Sequence, residues 1–315
     1  MANLLANVSF EEVTQSDLFT FHVGDKSFIA HSKAVAATSS VFERLVNGGM
    51  SESESRSAEL KDVDPETFVR FLEYAYRRDY TIPLWTQDHD AADGDGLSTQ
   101  RNTLQELEPM PSDEGFNVQP IVVPSTTNRG WANCNAAPSA FGAMPSDSTS
   151  SLVFRNGKKH AKSQAGSRAA FNKREYIHPT DNASKLLRVG FEPVPNTSPT
   201  QNFTSVFLAH ACLYTLANMR MIQELRDLAL HKLHKTLVSF ELYPERLGDV
   251  AELARYAYEH GEDRSEDGRI DALRDMVVNY VACEMKVLGK HAEFRHLMDM
   301  GGEFAGDFWD IVSQE

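Results

Sequence analysis

The stretch Asp17-Leu18-Phe19-Thr20-Phe21-His22-Val23-Gly24-Asp25-Lys26-Ser27-Phe28-Ile29-Ala30-His31 decides the fold. Phe19, Phe21 and Val23 alternate with Leu18 and Thr20, the period of a strand with two unlike faces, and the composition favours strand. Gly24-Asp25 is a turn signal, and residues 26–30 read as the returning strand of a hairpin. Working outward, a helix is expected over Ser32–Ala37. Ser39 or Ser40 caps another that carries Val41, Phe42, Leu45 and Val46 and stops at Asn47-Gly48-Gly49. Asp64-Pro65-Glu66 opens a longer helix. Asp64 is the N-cap, and Pro65 takes the first helical position, where its missing N–H costs nothing. Phe68, Leu72, Ala75 and Tyr76 follow at helical spacing, with Phe71 widening the stripe.

From about residue 84 to 202 the character changes. Ser, Pro and Asn are abundant, and Trp85, Trp131 and Phe154 are scattered without period. Such a composition buries too little surface to offset chain entropy, so the stretch reads as a disordered, low-complexity insert. Its basic run is Arg155, Lys158, Lys159, Lys162, Arg168, Lys173 and Arg174. That run suits a nuclear-import signal or a nucleic-acid contact, or else a solvated patch that balances an acidic chain. Helical periodicity returns at Phe203. Val206, His210, Leu213 and Ala217 make one stripe, and Ile222, Leu225, Leu228, Ala229 and Leu233 make the next, joined near Asn218-Met219-Arg220. A third helix carries Leu247, Val250, Leu253, Ala254, Ala257 and Tyr258. A fourth carries Leu273, Val277, Tyr280, Val281 and Leu288, and one or two short helices close the chain.

The formal net charge of −14 argues against a nucleic-acid-binding body or an anionic membrane surface, which call for basic patches. Cys134, Cys212 and Cys283 are odd in number and far apart, so neither a disulfide framework nor a zinc ribbon is expected. Neither a secretory leader nor an apolar run of about 20 residues is legible, and with three scattered cysteines an intracellular chain, cytoplasmic, nuclear or both, is expected. Nucleophile elbow, phosphate-binding glycine loop and HExxH are all missing, so no catalytic residue, cofactor or metal is expected. His210, His231 and His234 read as ordinary helix residues.

One family shares this pattern. Ser16-Asp17, Phe28-Ile29-Ala30-His31, Ser39-x-x-Phe42, Gly49-Met50-Ser51-Glu52-Ser53, Glu59-Leu60 with Val63, and Phe68-x-x-x-Leu72-x-Tyr74-x-Tyr76 together resemble the BTB/POZ domain. Leu213-Tyr214-x-Leu216-Ala217-Asn218 with Glu224-Leu225-x-x-Leu228-Ala229 resembles the helices that close that domain. The resemblance is strongest to fungal members, which often carry interruptions and a helical extension. It implies an α+β fold followed by an all-α extension. The expected division is an N-terminal segment 1–16, a BTB/POZ first part 17–83, the insert 84–202, closing helices 203–237 and a helical extension 238–315.

The resemblance also implies sites. Met50-Ser51-Glu52 falls where BTB ubiquitin-ligase adaptors carry an apolar-x-Glu motif that touches a cullin, with Met50 in an apolar pocket and Glu52 fixing orientation. The other reading is that the glycine-ended helix simply enters the next strand here. Asp17 and His31 correspond to a charged pair near the pocket of dimeric BTB transcription factors. Ser32 stands where those carry Lys or Arg, so a structural pair is expected instead: Asp17 satisfying buried donors and His31 hydrogen-bonded in the core. The implied function is protein–protein interaction. The chain would be a cullin adaptor for substrates, or alternatively a self-associating nuclear scaffold or transcriptional regulator.

Overall fold

A computed structural model describes residues 9–88, 166–176, 190–299 and 301–313. A short capped helix, α1 (Phe10–Thr14), leads into β1 (Leu18–Val23) and β2 (Lys26–His31), which pair antiparallel from Leu18↔His31 to Val23↔Lys26. Gly24 turns the chain at φ 59°, a conformation that glycine adopts at little steric cost. Phe19, Phe21 and Val23 are wholly buried while Leu18 is 55% exposed, so the alternation in sequence is the alternation in burial. Helices α2 (Ser32–Ala36), α3 (Ser40–Asn47) and α4 (Ser51–Ser55) then carry the chain across to β3 (Ser57–Leu60), which lies parallel to β1. The sheet order is β2-β1-β3, and a parallel neighbour requires such a crossover.

Capping residues act as their types suggest. The Ser39 hydroxyl accepts the Phe42 N–H at the start of α3. Asp64 accepts the Thr67 N–H at the start of α5 (Pro65–Arg77), with Pro65 at its first turn. The stripe on α5 differs from its sequence reading. Thr67, Phe68, Phe71, Tyr74 and Ala75 are buried, whereas Leu72 is half-buried and Tyr76 is 37% exposed. The buried arc centres on Phe71, because Phe42 stacks on it at 4.7 Å while Phe21 and Phe28 press on Phe68. Leu72 lies about 100° past that centre.

Beyond the insert come α7 (Thr204–Met219) and α8 (Gln223–Ser239), which hold two cores together. Leu213, Leu216, Ala217, Ile222, Leu225 and Leu228 complete the core formed by the sheet, α3 and α5. Val206, Phe207, Ala211, Tyr214, Leu230, Leu233 and Leu237 face a second core. That core is shared with α9 (Leu247–His260), α10 (Ala272–Cys283), α11 (Met285–Leu288), α12 (Ala292–Asp299) and α13 (Gly302–Ser313). A helix with neighbours on every side needs apolar residues on every side, so the one-faced stripes read from the sequence are each part of a wider buried surface.

The stretch 84–202 is not uniformly without structure. Thr86–Gln87 (β4) pairs with Gln201–Asn202 (β5), and Asp88 reaches the Arg246 guanidinium at 2.5 Å and the Asn202 amide at 3.2 Å. Residues 166–172 form a helix, α6, whose Phe171 is buried in the second core. Average composition hides such anchors, because a few apolar and basic residues suffice when acidic helices stand ready to receive them. Within the basic run, Arg168 pairs with Glu284 and Arg174 with Asp275, so these two are not a free patch. Arg155, Lys158, Lys159 and Lys162, with the rest of 89–165 and 177–189, lie outside the described residues. Among the described residues, no helix is long and apolar enough to cross a membrane.

Candidate protein interaction site

Gly48 closes α3, and Gly49 follows at φ 71° with open space around it. This turn places Met50 at the N-cap of α4, where its side chain is 65% exposed. The Ser53 hydroxyl returns a hydrogen bond of 2.8 Å to the Met50 carbonyl. Glu52 is half-exposed and accepts the Ser51 hydroxyl at 2.9 Å. Its own backbone N–H and that hydroxyl lower its pKa, so Glu52 is a fixed negative charge at neutral pH. The sequence reading ran from glycine straight into strand. A five-residue helix intervenes instead, so Met50-Ser51-Glu52 caps and starts a helix.

That helix is pinned at its far end. Arg56 adopts φ 54°, a left-handed conformation costly for an L side chain. Its carbonyl accepts the Thr20 N–H at 2.9 Å, and its guanidinium pairs with Asp17 at 2.7 Å. Asp17 therefore has Arg56 as its side-chain partner, and its carboxylate is 71% exposed. Asp17 is expected to satisfy buried donors with its side chain and His31 to sit hydrogen-bonded in the core; the Asp17 carboxylate instead lies at the surface on Arg56. The hairpin ladder ends at Leu18↔His31, leaving Asp17 one residue beyond it, where its carbonyl accepts the Ser32 N–H. His31 is half-buried. Its N–H donates to the Tyr76 hydroxyl at 2.9 Å, and its Nδ1 meets the same oxygen at 2.9 Å. Arg56 and Tyr76 were both missed as partners because neither is near in sequence to the group it serves.

A second cluster was also missed. His210 is wholly buried, its Nδ1 2.6 Å from the Tyr80 hydroxyl. Lys232 donates to the Tyr80 carbonyl at 2.7 Å, pairs with Asp79 at 2.5 Å and lies 4.2 Å over the Tyr80 ring. Burial, with the Lys232 and Arg70 charges, lowers the His210 pKa to about 3. This neutral histidine ties the chain after α5 to α7 and α8. His234 likewise serves packing, its Nε2 meeting the Phe171 carbonyl at 2.8 Å. Among the described residues, no group of three or more His, Cys, Asp or Glu could hold a metal.

Residues 7–94 match the family model of the BTB/POZ domain. No curated protein matches the chain. The matched residues contain the hairpin, the crossover helices, β3 and α5, and the all-helical region follows them. With that match laid over a small three-stranded sheet wrapped by helices, the chain carries a BTB/POZ domain, a protein–protein interaction module, over residues 7–94.

Proposed function

We propose that this chain is an adaptor that brings a substrate to a cullin-based ubiquitin ligase. In this reading residues 17–83, closed by 203–237, form the BTB/POZ core that docks the cullin, and the extension 238–315 holds the second protein. The observation that carries it is the 65% exposure of Met50 on a helix start that Arg56 and Asp17 hold against β1. An exposed apolar anchor beside a fixed carboxylate is the chemistry of an interface hot spot, and Glu52 supplies the carboxylate. The adaptor performs no bond chemistry; holding a substrate near the ligase raises its effective concentration. The test is a pull-down of the full chain with a cullin, with circular dichroism to verify folding. Met50→Ala and Glu52→Lys are each expected to weaken binding by about thirtyfold or more, the scale of a 2 kcal/mol anchor. A folded double variant that binds as wild type removes the reading.

One observation favours the alternative, a self-associating scaffold. Ile29 and Leu18 are 66% and 55% exposed on adjacent strands of the hairpin, and Phe10 on α1 is 71% exposed. Large apolar side chains left open on a sheet face are typical of surfaces that a partner covers. If self-association uses this face, Ile29→Glu converts dimer to monomer in sedimentation; an unchanged sedimentation coefficient rejects it.

A further inference from the structure

The segment 166–176 lies across the helical region as a strap, and the groove beneath it is built to read its side chains. Phe171 on α6 is 2% exposed, its ring 5.0 Å from that of His234 on α8 and 5.6 Å from that of Tyr280 on α10. Tyr176 covers another side of His234 at 5.2 Å. One helical turn before Phe171, Arg168 lies 5.1 Å over the Tyr280 ring and pairs with Glu284. Three residues after Phe171, Arg174 pairs with Asp275 at 2.8 Å. The groove thus presents an aromatic slot with a carboxylate at each end, matched to Arg-x-x-Phe-x-x-Arg.

The attachment is mainly by side chains, with His234 Nε2 on the Phe171 carbonyl at 2.8 Å as a hydrogen bond to the strap's backbone. Among the described residues no strand pairing joins the strap to the body. Both ion pairs are part-open to solvent, at 24% and 22% side-chain exposure for Arg168 and Glu284 and 32% and 42% for Arg174 and Asp275. A cavity of about 180 Å³ remains beside the strap, lined by Ala170, Phe171, Asn279, Ala282 and Ile311 among others. This pocket is partly open to solvent, so one edge of the seat is left uncovered.

We propose that this groove is a docking site for a basic, aromatic segment of a partner protein, an Arg-x-x-Phe turn of helix followed by a second arginine. Residues 166–176 are its competitor in cis. A tethered competitor acts at high effective concentration, so it sets the affinity a partner must exceed. The aromatic slot and the two carboxylates select the partner by shape and charge. The proposal goes beyond the adaptor reading and does not depend on cullin docking at Met50.

The probe is a fluorescein-labelled peptide with the sequence of residues 166–176, titrated into the full-length chain by fluorescence anisotropy. Arg168→Glu breaks the pair with Glu284 and so frees the strap, Phe171 included, and this variant is expected to bind the peptide at least tenfold more tightly than wild type. Adding Glu284→Arg restores the ion pair in cis with its sign reversed and opposes the peptide, so binding returns to the wild-type level or below. A wild-type dimer in sedimentation that excess peptide dissolves would make a second copy's strap the occupant and overturn the partner-segment proposal. Circular dichroism and melting verify folding. If Arg168→Glu does not fold, Arg174→Glu with Asp275→Arg repeats the test at the other end. The proposal is overturned if the folded strap variant binds no better than wild type, or binds equally well when its groove carboxylate is reversed.

Discussion

Replacing Phe71 by alanine tests which side of α5 faces the core. Phe71 is wholly buried, stacked on Phe42 at 4.7 Å with 16° between the rings, and tilted against Phe68 at 5.6 Å. Truncation there removes a whole aromatic ring and leaves a cavity, a loss of about 3–5 kcal/mol. A domain holds roughly 5–15 kcal/mol in all, so the variant loses about a fifth or more of its margin. Leu72 is half-buried at the edge of the same core. Half the burial of a leucine is worth about 1 kcal/mol, and Leu72→Ala should cost near that. Chemical denaturation of wild type and both variants, with unchanged slopes, gives the two differences directly. A double-mutant cycle with Phe42→Leu should add a coupling of about 0.5–1.5 kcal/mol for the stacked pair. If Leu72→Ala costs as much as Phe71→Ala, the buried arc is centred elsewhere and the packing argument fails.

His210 gives a pH dependence with a definite sign. Its folded pKa of about 3 lies below the ordinary histidine value, and the groups around it are Tyr80, Phe191, Lys232 and Arg70. The unfolded chain therefore binds a proton that the folded chain does not, and stability is lost as pH falls below about 6.5, by about 1.4 kcal/mol per unit. Wild type minus His210→Gln should show this slope between pH 6.5 and 5 in denaturant midpoints, and parallel curves would contradict it. A protease site engineered within 89–165 tests the shared core. The fragments should co-elute in gel filtration after cutting, because Leu213, Leu216, Leu225 and Leu228 pack against Phe68 and Phe71; fragments that separate without denaturant would show two independent domains.

Local signals in the chain determined a good deal by themselves. Alternation through Leu18–Val23 set the strand and its buried face, and Gly24 set the turn. Ser39 and Asp64 set helix starts through hydrogen bonds three residues on, and Pro65 through an N–H it lacks where the first turn needs none. Met50 could be placed at the end of a glycine stop for the same reason. Partners distant in sequence were decided only by the tertiary structure. Asp17 and His31 are grouped only by the family resemblance, and each is taken by a side chain from another element, Arg56 and Tyr76. Phe171 and its arginines look like part of a polar linker, and they are seated because α8 and α10 happen to present rings and carboxylates to them. Periodicity records how one element divides its surface between solvent and everything else. It does not record which neighbour lies on the buried side, or that α7 and α8 have a neighbour on both, since burial energy is non-directional and the choice among buried partners is made by packing and charge across the assembled fold.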